Sequence, residues 1–489
     1  MTSLPRATTE RARRKRATAA LRKLRQRRQR RGVALIMVLG AITVLTVFLT
    51  ELQEETSSEL SSALVERDTM RAEYLAKSAI NLSRMLIAAE PTIRQTVTPM
   101  LMLMGMKSPP QIPIWEFSDM VLAPFNDEAS AMAFGSVAGL DASTSKNMGL
   151  GAGGGSFSVR IVDEESKINA NAAAKPGDIL SRGRFGAQMF GLLAPPQYNE
   201  MFEQQDADGQ YSDRATICGA VVDWSDMDEE LYACDPTLAQ AGGSAGAEDS
   251  FYQLIGMPYR RKNTAFDSLE ELRQVRGFND DFWATFVDPD PNDPKSRVMT
   301  VWGGATVNVN TANAQTLLAL ICANSVPETQ LCIDPIQQAT FLAMVSMART
   351  AIPIPIFTSP KNFTAIVQGK GNGIGKMIWE MMALTPVVLK SAADTQKQVS
   401  TGSKMFSIYA EGLVPGTNKR ETRARVHAVV DFRFASVPGE WAAGMPGGTA
   451  SGGAGQPAPT QPASQMTPEA MAAMLQSNPA GNVVYWRLE

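Results

Sequence analysis

Five carboxylates lie close together near the middle of this 489-residue chain. They are Asp223, Asp226 and Asp228, followed after a Gly-rich excursion at 242–246 by Glu248 and Asp249. Asp226 and Asp228 are two residues apart, so in a loop both can turn toward one centre. Glu248 and Asp249 can close the shell from the far side. A hard cation with six to eight oxygen ligands suits such a set, and calcium is the usual choice outside the cytoplasm. Asp223 stands apart, because it precedes Trp224 and could cap or buttress instead. A second acidic run, Asp206 to Asp213, fails the EF-hand pattern: Gly209 falls at loop position four and the closing Glu is missing. Asp288, Asp290 and Asp293 are interleaved with Pro and read as an exposed turn.

Other chemistry is scarce. The four cysteines, Cys218, Cys234, Cys322 and Cys332, contain no C-x-x-C pair. A structural zinc site is therefore not expected. Their spacing fits disulfides Cys218–Cys234 and Cys322–Cys332, but three connectivities are possible and sequence does not choose among them. The single histidine, His427, leaves little room for a Ser/His/Asp arrangement, although Ser–Lys chemistry stays open. The Gly369–Lys376 segment lacks a Walker A ending and reads as a turn. The expectation is a non-enzymatic protein.

Several elements must position these residues. Residues 1–32 hold 13 Lys and Arg and one acid, Glu10; the rest of the chain keeps 33 basic and 48 acidic side chains. A body that acidic is a poor phosphate-backbone binder. Directly after Arg31-Gly32 comes an uncharged run, Val33–Thr50. Eighteen residues span about 27 Å as a helix, close to a hydrocarbon core. The one-sided basic flank keeps the N-terminus cytoplasmic and exports the bulk. A secretory signal would place its small residues after the apolar run. Here the small residue comes first, so cleavage after Gly32 would remove the charges and keep the helix. From Glu51 to Ala89 there is no Gly or Pro, and apolar residues recur at helical spacing from Leu60 to Ile87. Pro91 supplies a stop. A helix over 33–89 would be about 85 Å long.

This layout resembles the type IV pilin-like superfamily. The resemblance implies that a prepilin peptidase cuts after Gly32 and that the new amine, on Val33, is methylated. Most members then carry Glu at mature position five, whereas this chain has Met37. The K-type minor pseudopilins of type II secretion typically lack that Glu. Four further segments resemble that family in its own order. They are Ile161–Asn171 (a D-E-x-x-K-x-N-x-N turn), Val222–Asp228 with Gly246–Tyr252, Ser268–Phe278, and Val307–Ala312. Together the resemblance covers roughly residues 31–90 and 155–435. It implies calcium in the helical domain, with I-type and J-type minor pseudopilins, the major pseudopilin and prepilin peptidase as partners. It also implies a single-pass inner-membrane location, a periplasmic body, and a place at the pseudopilus tip where the chain helps start assembly and export across the outer membrane.

The periodicities agree on layout. Phe157–Val162 alternates as a strand should, and the period of two returns at Met405–Leu413 and Thr422–Phe434. Between them lie helical patterns such as Leu269–Val275, Ala314–Ala323 and Ile336–Arg349. The expected fold is α+β: a type IV pilin-like fold, with a long N-terminal helix and a small antiparallel sheet, carrying a large inserted helical domain that is SAM-like or helix-hairpin-helix-like. The expected divisions are a leader at 1–32, the membrane and pseudopilus-core helix at 33–90, and the head at 91–169 with 400–436. The insert takes 170–399, and a flexible Gly/Pro/Ala-rich tail takes 437–489. The Met100–Met104 run reads as core filler. Two alternatives keep the same leader: a minor type IV pilin, or an anchored helix-hairpin-helix DNA-binding protein. The acidic body and the lack of a dense basic stripe argue against nucleic acid as a partner.

Overall fold

The structure is a computed structural model. It describes residues 7–103, 110–126, 155–174, 178–205, 209, 211–234, 244–247, 249–351, 355–371, 374–416, 421–435, 478 and 480–488. Helix α1 runs over Ala7–Leu103. Its residues to Met70 form one compact unit with Gly416–Thr422, and the rest of the chain forms a second. In the first unit the apolar run is exposed, with Val33 to Leu39 each more than half accessible at their large side chains. That stretch is long and apolar enough to cross a membrane.

The second unit is built on a four-stranded sheet in the order β1 (Ser156–Asp163), β6 (Met405–Pro415), β7 (Glu421–Asp431), β8 (Asn482–Leu488). β1 pairs antiparallel with β6, with Ile161 opposite Ile408, and β8 pairs antiparallel with β7. One face packs on α1. Ala76, Ala79, Ile80, Leu86 and Ile87 meet Val159, Ile161, Phe406, Ile408, Ala410, Val426 and Ala428. Along β6 the inward side chains shrink from Phe406 through Ile408 and Ala410 to Gly412. The taper lets the helix close in: a Cβ on Gly412 would stand 2.0 Å from the Ala72 carbonyl oxygen. Any side chain there forces helix and strand apart.

The other sheet face carries Ser407, Tyr409 and His427 and meets the insert through Arg297, whose Nη1 donates to the Tyr409 hydroxyl at 3.0 Å. The insert leaves the sheet after β1 and returns through two short parallel pairings. β2 (Ile168–Asn169) pairs with β3 (Met299–Thr300), and β4 (Val307–Asn308) with β5 (Val399–Ser400). Its helices include α2 (Ile179–Leu193), α3 (Arg214–Ser225), α4 (Ala314–Asn324) and α5 (Pro335–Ala351). α2 and α4 cross at Gly191, where a Cβ would meet the Ala319 carbonyl oxygen at 2.2 Å.

Four expectations change. Pro91 and Pro99 lie inside α1, which continues to Leu103. The lost amide of a helix-interior proline is costly, but packing holds this turn. Glu90 is buried, accepts the Ile112 amide at 2.9 Å and pairs with Arg94, and Leu101 is buried beyond it. At the other end the helix starts at Ala7, because Ala, Arg, Lys, Gln and Leu are strong helix formers. Met100 and Met102 are exposed rather than core filler; Leu101 between them takes the inward position. Finally, residues 482–488, expected in the tail, form β8. Val and aromatic content favours a strand there. The remainder of the run after Ala435, apart from Asn478, Ala480 and Gly481, lies outside the described residues.

Candidate metal centre

The acidic loop begins where α3 ends. The Asp226 amide still donates to the Val222 carbonyl at 2.9 Å, and Asp226 is the last residue held by the helix. Trp224 pins this end. Its ring is buried against Tyr252 and Tyr259, and its Nε1 donates to Glu271 Oε1 at 3.0 Å. Glu271 Oε2 in turn accepts from Lys262 and from the Asp267 amide. The Ser268–Phe278 segment is therefore the wall behind the loop. A Cβ on Gly277, at φ +86°, would stand 2.5 Å from the Ile217 side chain.

The carboxylates divide between two arginines. Arg182 Nη1, from the first turn of α2, reaches Asp226 Oδ2 at 3.2 Å and Asp228 Oδ2 at 3.3 Å. Arg261 donates to the Asp228 carbonyl at 2.8 Å, and its Nε lies 3.5 Å from Asp249 Oδ1. Asp223 faces elsewhere: its Oδ1 accepts the Tyr232 amide at 2.7 Å. Burial pushes its carboxyl up to about 7, opposed by the Tyr232 amide and reinforced by the charge of Asp226. Burial, then the charge of Asp228, pushes Asp226 up to about 6. Asp226 Oδ1 and Asp249 Oδ1 are buried without a hydrogen bond among the described residues.

The structure thus brings Asp226 and Asp228 to one point and places Asp249 on the neighbouring arginine. It turns Asp223 into a brace for the strand Glu230–Leu231, whereas Glu248 lies outside the described residues. Among the described residues no three acidic, His or Cys side chains converge at metal distance. The donor chemistry nevertheless fits a hard cation: all-oxygen groups, two of them raised by burial, with a bare buried oxygen on Asp226. Arg182 stands where the two carboxylates converge. Nothing in sequence announced it, since it is 44 positions from Asp226.

The other sites fall out simply. Asp213 caps α3 by accepting the Thr216 amide at 2.7 Å, and Asp206 and Asp208 lie outside the described residues. Asp290 and Asp293 accept the Asn292 and Lys295 amides in a turn. The sulfurs of Cys218 and Cys234 are bonded, as are those of Cys322 and Cys332, with Cα separations of 5.8 and 5.6 Å. Gly32 and Val33 are consecutive residues of α1.

The turn at Ile161–Asn171 has a different job. It is the clasp between sheet and insert. Asp163 Oδ2 accepts from Ser403, Thr311 and Asn308. Buried Glu164 pairs with buried Lys167 at 3.1 Å and accepts from Thr300. The Asn169 amide donates to the Gly303 and Gly304 carbonyls, and that of Asn171 to Phe266 and Val301. From the insert, Asn308 ties back to Ser403, and Asn310 clamps Phe357 by its amide and carbonyl. The polar residues of both motifs are thus engaged within the fold, some by holding backbone and some by pairing with other side chains.

A long helix on a small antiparallel sheet, interrupted after its first strand by a helical insert, is the α+β layout expected from the sequence. Residues 168–286 match the family model for type II secretion system (T2SS) protein K. The chain is similar to that family over those residues. It is 31% identical over 134 residues to a type II secretion system protein K of Pectobacterium carotovorum subsp. carotovorum, covering 27% of this chain and 34% of that one. It is 25% identical over 173 residues to the protein K of Aeromonas hydrophila, covering 34% and 44%. The match thus spans less than half the length of these curated relatives. Among solved structures, the GspK-GspI-GspJ complex from enterotoxigenic Escherichia coli resembles it at 15% identity and a TM-score of 0.32, over 57% of this chain and 75% of that one.

Proposed function

We propose that this chain is a minor pseudopilin that caps the pseudopilus of a type II secretion system, helping to start filament assembly and so protein export across the outer membrane. The observation that carries the reading is the uncharged, exposed stretch Val33–Thr50 set directly behind the basic end at Gly32, with Met37 in place of an acid. Prepilin peptidase removes residues 1–32 and the Val33 amine is methylated. The helix then leaves the inner membrane, where it crossed once with its N-terminus cytoplasmic, and packs among subunits. Without a carboxylate at Met37 the subunit has no acid to pair with the terminal amine of a neighbour, which suits a filament end. The bulk of the insert hinders addition of a further subunit above it. I-type and J-type minor pseudopilins are its partners, with the major pseudopilin below. The role is non-enzymatic. Asp226, Asp228, Glu248 and Asp249 hold calcium, with Asp223 behind them.

The test is secretion. A strain lacking this chain should lose export of its extracellular proteins. The wild-type chain should restore it, and a chain with Gly32→Trp, present at equal level in the membrane, should not. Normal secretion with Gly32→Trp would overturn the reading.

A further inference from the structure

The two edges of the sheet are finished in different ways. At β1, Asn126 blocks the outer edge with its side chain: Nδ2 donates to the Phe157 carbonyl and Oδ1 accepts the Phe157 amide, both at 2.6 Å. A side chain 31 residues earlier thus supplies the stop. At β7 the cover is β8, a strand from the far end of the chain. Antiparallel neighbours need as few as about two linking residues. β7 ends at Asp431 and β8 begins at Asn482.

β8 is also lightly held. Of its seven residues only Tyr485 is half-buried; Val483, Val484, Trp486 and Leu488 are 40–46% exposed. The Tyr485 ring sits between Trp302 at 5.6 Å and His427 at 5.2 Å, and His427 itself stacks on Tyr409. The strand's approach is fixed by Arg84, which donates to the Ala480 and Gly481 carbonyls at 2.9 and 2.8 Å. The backbone ladder to β7 is a further attachment. All of these contacts are made to a strand separated from β7 by a long stretch of sequence.

We propose that β8 is an exchangeable strand, and that the seat on β7 accepts the Gly481–Leu488 segment of a second copy of this chain. The segment from another copy offers the same backbone ladder, the same aromatic for the Trp302–His427 slot and the same carbonyls for Arg84. Fifty residues lie between Asp431 and Asn482, and a chain of that length can span at most about 170 Å. The choice between own and neighbouring seat is then set by concentration: a tethered strand competes at an effective concentration of order millimolar. Chains confined together meet that condition; dilute chains keep their own strand. The inference does not rest on a role in secretion.

The test uses the full chain in detergent. Val483 lies opposite Val430 across the β7–β8 pair. A chain with Val430→Cys is mixed with a chain with Val483→Cys, and oxidised cross-links are read on a non-reducing gel. Neither variant alone can close this bond within or between its copies. Strand exchange predicts a heterodimer that grows with concentration and exceeds, by about tenfold, the homodimer of either variant alone, because seating supplies the effective concentration. The doubly substituted chain should close the bond within itself when dilute. Closure in the double variant with no heterodimer at any concentration would overturn exchange, and failure of both would show that the strand does not seat there. If Val430→Cys does not fold, a photoreactive Gly481–Leu488 peptide is added to the wild-type chain at about 1 mM, matching the tether. Labelling of β7, lost when the peptide carries Tyr485→Ala, supports the proposal; no labelling of β7 overturns it.

Discussion

Two regions of this molecule bury carboxylates, and they treat them differently. In the clasp, Glu164 has Lys167 and Thr300 as partners, and Asp163 has three side-chain donors and the Glu165 amide. In the acidic loop, Asp226 has one oxygen on Arg182 and the other on nothing described. A buried carboxylate whose partners are complete is part of the fold; one left with a bare oxygen is costly unless something else arrives. The same residue type is therefore fully partnered in one place and left with a bare oxygen in the other. The proton affinities follow the partner rather than the region. Lys167 leads the forces that offset burial and hold Glu164 below its usual range, whereas burial dominates at Asp163 as it does at Asp226.

The largest expected effect breaks the clasp. Lys167→Ala leaves Glu164 buried without its cation, and should cost about 3–5 kcal/mol in a denaturant titration of the full chain. Asp226→Asn in calcium-free buffer should cost far less, because it removes a carboxylate with one bare buried oxygen and leaves Arg182 paired with Asp228. An equal loss in both would erase the distinction.

The next effect is pH dependence within the clasp. Burial pushes Asp163 up to about 7, above its unfolded value, so the native state holds that proton more tightly. Its contribution is present below the unfolded pKa and is lost as pH rises to 7, a loss of a few kcal/mol by the usual 1.36 kcal/mol per unit. Asp163→Asn should flatten this slope in melting curves taken between pH 4 and pH 8. An unchanged slope would assign the titration to another group.

Calcium should act on the loop alone. At about 100 times its dissociation constant it should stabilise the chain by about 2.7 kcal/mol. The rise in melting temperature should vanish in Asp226→Asn with Asp228→Asn and survive in Asp163→Asn. Smallest is the wall: Trp224→Phe removes the donor to Glu271 and should cost about 1 kcal/mol, with weaker calcium binding.

Much of this was legible in the residues. β1, β6 and β7 alternate because each has one face on α1, and α5 shows helical spacing because it buries one stripe, whereas α4 reads as an apolar run because it is buried all round over Thr316–Ile321. The acidic pair at Asp226 and Asp228 was visible from spacing. What was not visible depends on distant partners. Arg182 is placed by the packing of α2 on α3, so no local pattern marks it. β8 was lost because its seven residues follow a Gly- and Pro-rich run and its seat is made by β7 and Trp302. Pro91 misled because burial of Glu90 and Leu101 outweighs one missing amide. The turn at Asp163–Asn171 was recognisable as a motif, yet its purpose emerged only once Asn308, Thr311 and Ser403 were brought to it.

The most direct test of the account is the N-terminus of the mature chain, read by mass spectrometry of membrane fractions. The account predicts a terminal peptide that begins at N-methylated Val33. An intact basic leader, or a chain cut after the apolar run ending at Thr50, would contradict it.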